Sequence, residues 1–183
     1  MSLLTHNQLV FQQTRSFSKN DFAILDAQGA QVAHVETGGS ALGRAFLGSR
    51  ELTVFDGPGN PVARVSDTMT FGRDRLEIAD GAGNPLASLV QRITLFSTRI
   101  TIQLPDQQID LVGDMWGFDF QFSGPHGVWA TVSRSWSGMG NAFLGKSTYM
   151  VQLADDLDTR QRLTVIGSVL ALDLIREKRA RNS

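Results

Sequence analysis

Three stretches of the sequence repeat one pattern: FAILDAQGAQVAHVE at 22–36, LTVFDGPGNPVARVS at 52–66 and LEIADGAGNPLASLV at 76–90. Each has an alternating apolar run, an Asp, a Gly three residues later, and a second run that carries an Ala. The pairs Phe22/Ile24, Leu52/Val54 and Leu76/Ile78 have period two, the spacing of a strand with one buried face. Asp26, Asp56 and Asp80 stand where a tight turn needs a side-chain acceptor. Gly29, Gly59 and Gly83 stand where it needs positive φ. The unit is a β-hairpin with a three-to-five-residue loop. Calcium is a poor reading of these loops, because one carboxylate per loop cannot fill its coordination sphere.

Weaker copies lie further along the chain. ITIQLPDQQIDLVG (100–113) turns at Pro105-Asp106. FDFQFSGPHGVWATVS (118–133) alternates Phe118, Phe120 and Phe122 and turns at Ser123-Gly124-Pro125. TYMVQL (148–153) and LVFQQT (9–14) read as further strands. The sum is about twelve antiparallel strands in sequential hairpins, which must close into a barrel or stack as two sheets.

The end of the chain is different. DTRQRLTVIGSVLALDLIREKRARNS has no period-two pattern. Asp158 or Thr159 suits a helix N-cap, and Arg176, Lys178 and Arg179 suit a helix C-terminus. Between them the apolar residues cover every face, so the helix must be enclosed by protein or by lipid. Thr164, Gly167, Ser168 and Asp173 interrupt the run. A spanning helix needs ~20 predominantly apolar residues, and an Asp near mid-bilayer costs about 2.5–3.5 kcal/mol. A closed barrel threaded by the helix is therefore favoured. Ala33, Ala63, Ala87 and Ala130 recur at matching places. They let the wall approach a helix about 10 Å wide, or they serve tight packing within the sheet. The opening Met1-Ser2-Leu3 is given no structural role.

The hairpin repeats, VWATVSRSWSG (128–138) and DDLDTRQRLTVIGSVLALDLIREK (155–178) together resemble the phospholipid scramblase family. That family's relatives are the LURP-one-related proteins and the tubby C-terminal domain. The most specific parts are Ala130-x-Val132-x-Arg134-x-Trp136, Asp156-Leu157-Asp158, Ile166-Gly167 and Leu172-Asp173, and the likeness runs from Phe17 to Lys178. It implies an all-β fold: a closed antiparallel barrel of about twelve strands around a hydrophobic C-terminal helix. The strands would occupy about 9–154 and the helix about 158–178 of a single domain, 1–183. It also implies handling or binding of phospholipid at a membrane. The segment matching the family's calcium loop runs from Gly145 to Asp156. Gly145 and Ser147 stand where liganding acids belong and only Asp156 keeps a carboxylate, so no metal is expected.

Residues 140–147, GNAFLGKS, fit the phosphate-cradling pattern G-x-x-x-x-G-K-[ST]. That motif works only where a helix succeeds the glycine loop. TYMVQL alternates like a strand, so an inter-strand loop is expected and no nucleotide. Cysteine is absent, and His6, His34 and His126 are scattered, which leaves no transition-metal pattern and no catalytic elbow. Asp155, Asp156 and Asp158 fit helix N-terminal compensation. Asp173 needs a partner, such as a barrel-lining Arg or backbone amides. Trp116, Trp129 and Trp136 belong to the core, the rim or a membrane surface.

The net charge is −1, which provides no global drive toward nucleic acid. We expect a non-enzymatic, cofactor-free, cytoplasmic protein, peripheral at the inner face of the plasma membrane. Its expected partner is anionic phospholipid, touched by Arg176, Lys178, Arg179 and Arg181 in the basic tail. The competing reading of that tail is a solvated, frayed terminus. The alternative function is a soluble LURP-one-like module that binds a small ligand or a protein. A nucleotide-binding protein is a distant third.

Overall fold

A computed structural model describes residues 3–16, 19–38, 51–70, 73–93, 98–134 and 148–182. The strands are β1 (Gln8–Ser16), β2 (Lys19–Leu25), β3 (Gln31–Gly38), β4 (Glu51–Asp56), β5 (Pro61–Thr70), β6 (Arg73–Asp80) and β7 (Pro85–Ile93). They continue with β8 (Thr98–Gln103), β9 (Gln108–Asp114), β10 (Asp119–Gly124), β11 (Gly127–Ser133) and β12 (Thr148–Leu153). All pair antiparallel with their sequence neighbours, and β1 pairs with β12, which closes the barrel. One helix, α1 (Thr159–Asn182), completes the chain. The closed barrel and its helix agree with the reading of the sequence. Closure leaves no unpaired sheet edge.

The repeated Asp and Gly make the turns. Asp26 Oδ1 accepts from the Ala30 amide at 2.9 Å, Asp56 Oδ1 from Asn60 at 2.7 Å and Asp80 Oδ1 from Asn84 at 2.8 Å. Gly29, Gly59 and Gly83 have φ of 82°, 92° and 91°. The repeat also carries a bulge. Ile24 faces Ala33 but Leu25 faces Gln31, which skips Val32. Val62 and Leu86 are skipped in the same way, and so is Trp129, where Phe122 faces Ala130 and Ser123 faces Val128. Each recurring Ala thus lies opposite a large buried residue: Ile24, Val54, Ile78 or Phe122. Large against small keeps the inner surface level, and the bulge adds the local twist that a closing sheet needs.

Helix α1 is buried on every side from Leu163 to Leu172. It runs off-centre, nearest to β5, β6 and β7, and also approaches β11. Ala63, Ala87 and Ala130 stand on three of those strands. A Cβ added to Gly167 would lie 2.5 Å from Ile78 Cγ2, so the helix reaches β6 where it has no side chain. Aromatic rings supply bulk elsewhere: Phe11 of β1 stacks on Tyr149 of β12, and Tyr149 on Phe118 in the β9–β10 turn.

The helix begins with a reciprocal cap. The Gln161 amide donates to Asp158 Oδ1 at 2.8 Å, and the Asp158 amide donates to Gln161 Oε1 at 2.9 Å. Buried Arg162 closes this end. Its Nε donates to the Leu157 carbonyl at 3.0 Å and its Nη1 to the His6 carbonyl at 3.2 Å. Leu3 is fully buried in a short 3-10 turn beside the helix. The initial segment therefore does have a structural role, against expectation: its Leu enters the same core as the barrel wall. The helix also runs to Asn182, past the expected 178. Glu177, Lys178, Arg179, Ala180 and Arg181 are good helix formers, and no Gly or Pro stops them.

Candidate functional site

The barrel has two unlike ends. One holds the tight hairpin turns and the start of α1. The other holds the β9–β10 turn and the last turns of α1. Charged residues divide between these halves by their place along each strand and the helix. Among the described residues, the hairpin half carries nine acids against three arginines, and the far half nine acids against eleven cations. Among the described residues the hairpin half is thus acidic by six charges and the far half basic by two.

At the far end, Phe118 is a non-glycine residue with φ of 56°. Such a backbone is costly and persists where surrounding contacts enforce it. Asp114 supports the turn: its Oδ1 accepts from the amides of Trp116 at 3.1 Å and Gly117 at 2.9 Å. The fully buried Phe118 ring gathers three polar side chains. The Tyr149 ring stacks on it at 4.2 Å between centroids. Arg176 Cζ lies 4.4 Å from the ring centroid and Arg134 Cζ 5.6 Å. Arg179 lies 4.0 Å over the Trp116 ring. These are cation–π distances.

Asp173 Oδ1 is 3.8 Å from Arg176 Nη1, one turn along the same helix. The half-buried acid thus has an arginine of its own helix beside it, where a wall arginine was one expectation. Burial, then the neighbouring Arg134 charge, lowers the Arg176 pKa, and Asp173 opposes this. Tyr149 is 3 % exposed. Burial first, and then Asp173, push its hydroxyl well above the usual range. Among the described residues, neither the Tyr149 hydroxyl nor the buried Arg134 Nε has a hydrogen-bond partner.

The residues expected to act are dispersed. Arg176 and Arg179 are engaged with rings at the far end. Lys178 and Arg181 stand in the last turns of α1. Asp156 is exposed between β12 and α1, at the opposite end. Gly145, Ser147 and all of GNAFLGKS lie outside the described residues, as does Trp136. Strand β12 comes directly after GNAFLGKS, in the place where a phosphate loop requires a helix. No cluster of three potential metal ligands occurs among the described residues. No helix among them is long and apolar enough to cross a membrane. Trp129 is buried and Trp116 half-buried. Phe118 and Tyr149 passed in the sequence as ordinary strand aromatics. That Tyr149 is the single Tyr of the chain was the one signal that could have singled it out.

The barrel with an enclosed C-terminal helix, and the family pattern over residues 7–173, point the same way: the match is to the LURP-one-related family. The chain belongs to that family. A solved structure of a protein from Arabidopsis thaliana shares the fold of this LURP-one-related barrel, with a TM-score of 0.58, 12 % identity and 91 % of each chain covered. At that identity the likeness concerns the fold alone. No curated protein matched the sequence. Membership marks the protein as a tubby-like binding module. Most cations of the described residues stand in the far half of this LURP-one-related barrel.

Proposed function

We propose that the protein is a non-enzymatic binding module that docks its far end on anionic phospholipid. The observation that supports this is the unequal charge of the two halves. The basic end attracts a negative surface while the acidic end orients the molecule away from it. Lys178 and Arg181 extend the basic end. Each near-surface cation contributes roughly 1 kcal/mol of attraction to an anionic leaflet.

Co-sedimentation with vesicles of phosphatidylcholine, alone or mixed with phosphatidylserine, tests this. Binding is expected to the mixed vesicles only. It should weaken with added salt and weaken further in the variant Lys178→Glu/Arg181→Glu. Equal binding to both vesicles, or none to either, refutes the reading. A dye-lipid assay on the same vesicles asks separately whether lipids are moved between leaflets.

A second reading has its own observation. A cleft of about 290 Å³ on the wall is lined by Arg75, Pro85, Leu86, Ser88, Gln103 and Pro105 among others. Its size is near the lower limit for small-ligand pockets, which would suit a LURP-one-like module with a small partner. Arg75 there already donates to the Ser88 hydroxyl at 3.2 Å, so the far end remains the stronger candidate.

A further inference from the structure

We propose that Arg134, Arg176 and the Tyr149 hydroxyl form a seat for one phosphate group at the far end of the barrel. Arg134 comes just after β11, Tyr149 lies on β12 and Arg176 on α1, yet all three meet at the Phe118 ring. From the two ring distances, the guanidinium carbons stand no more than 10.0 Å apart. A phosphate held from two sides by charge-assisted hydrogen bonds bridges a gap of that order.

Packing alone does not account for this arrangement. Two like charges share one aromatic ring, and the carboxylate beside them, Asp173, reaches Arg176 at a loose 3.8 Å. A buried hydroxyl and a buried guanidinium Nε are left without acceptors among the described residues. A buried donor of this kind is costly unless something accepts from it. Burial first, and then the Arg134 charge, lower the Arg176 pKa, while Asp173 opposes this. The strained backbone at Phe118 holds the ring that organises the group.

A tetrahedral oxyanion accepts charge-assisted hydrogen bonds from more than one side. A planar carboxylate is served by one bidentate arginine. The phosphate has two sources, a lipid headgroup or a free phosphoester. In its lipid form the proposal rests on docking of the far end to a membrane; in its free form it does not.

The test uses the full chain and three probes: inorganic phosphate and glycerol phosphate by calorimetry, and phosphatidylcholine vesicles with or without phosphatidic acid by sedimentation. The variants are Arg134→Gln and Tyr149→Phe, which keeps the stacked ring; thermal unfolding checks that each folds. Saturable binding of at least one phosphate probe is expected, with acetate held less tightly. Arg134→Gln should weaken binding about tenfold or more, and Tyr149→Phe several-fold. Failure to bind any phosphate probe overturns the seat, as do folded variants that bind like wild type, or acetate held equally well. If both variants still sediment with anionic vesicles as wild type does, docking stands and the seat falls. If vesicles are ignored while free phosphate is bound and lost in the variants, the seat stands and docking falls.

Discussion

Gly167→Ala separates two opposed effects of known size. In an exposed helix interior the change stabilises by about 1 kcal/mol, because Gly has the greater backbone entropy to lose. Here the added methyl would lie 2.5 Å from Ile78 Cγ2 and 3.4 Å from its Cγ1. Carbon atoms in good contact are about 3.5–4.0 Å apart, so the overlap with Cγ2 is about 1 Å. Ile78 is fully buried. Its strand is paired on both sides, with Val65 and Ala87 opposite it, and its branched side chain is stiff at χ1. It has little room to retreat. Overpacking of this kind costs about 1–3 kcal/mol, so the net expectation is a loss of about 0–2 kcal/mol after the helix gain is subtracted. Urea unfolding reads this from the midpoint and slope. For a domain of this size the melting temperature falls by about 2–4 °C per kcal/mol. The same substitution in an Ile78→Ala background should reverse sign. Ile78→Ala alone costs about 2–5 kcal/mol, but it opens the space that the new methyl then fills. Stabilisation by Gly167→Ala in the unaltered protein would refute the close approach of α1 to β6.

Asp158→Ala breaks the reciprocal cap with Gln161 and should cost about 1 kcal/mol, read as a lower melting temperature. Thr164 and Ser168 are fully buried with unpartnered hydroxyls. Thr164→Val and Ser168→Ala should therefore be neutral or stabilising in urea unfolding, and a loss above about 1 kcal/mol would point to a hidden bond. Tyr149 has its hydroxyl pKa raised above the ordinary 10.0 by burial and then by Asp173. Its contribution to stability is full below pH 10.0 and declines as pH rises through the folded-state value. Because it is the single Tyr, tyrosinate absorbance should appear above about pH 10 only together with loss of structure. Titration near the free value in folded protein would contradict its burial. With Gly145 and Ser147 in place of acids, calorimetry should find no saturable Ca²⁺ binding at micromolar concentration.

The sequence alone determined what local chemistry determines. The three Asp-x-x-Gly turns, the alternation of Phe118, Phe120 and Phe122, and the all-round apolar helix each arise from a few neighbouring residues. Strand number and closure come with them, because so many antiparallel strands must hide their edges and so apolar a helix must be enclosed. Tertiary structure decided whatever depends on residues distant in the chain. The bulges that place Val32, Val62, Leu86 and Trp129 were not legible, because register emerges from both strands together. Nor was the burial of Leu3, which depends on where β1 closes against β12. The division of charge was written in the sequence but hidden, since the order of residues does not say which end of a strand faces which pole. The meeting of Arg134, Tyr149 and Arg176 at Phe118 had no sequence signal. Three elements and one left-handed backbone position bring them there, and only the closed barrel makes those elements neighbours.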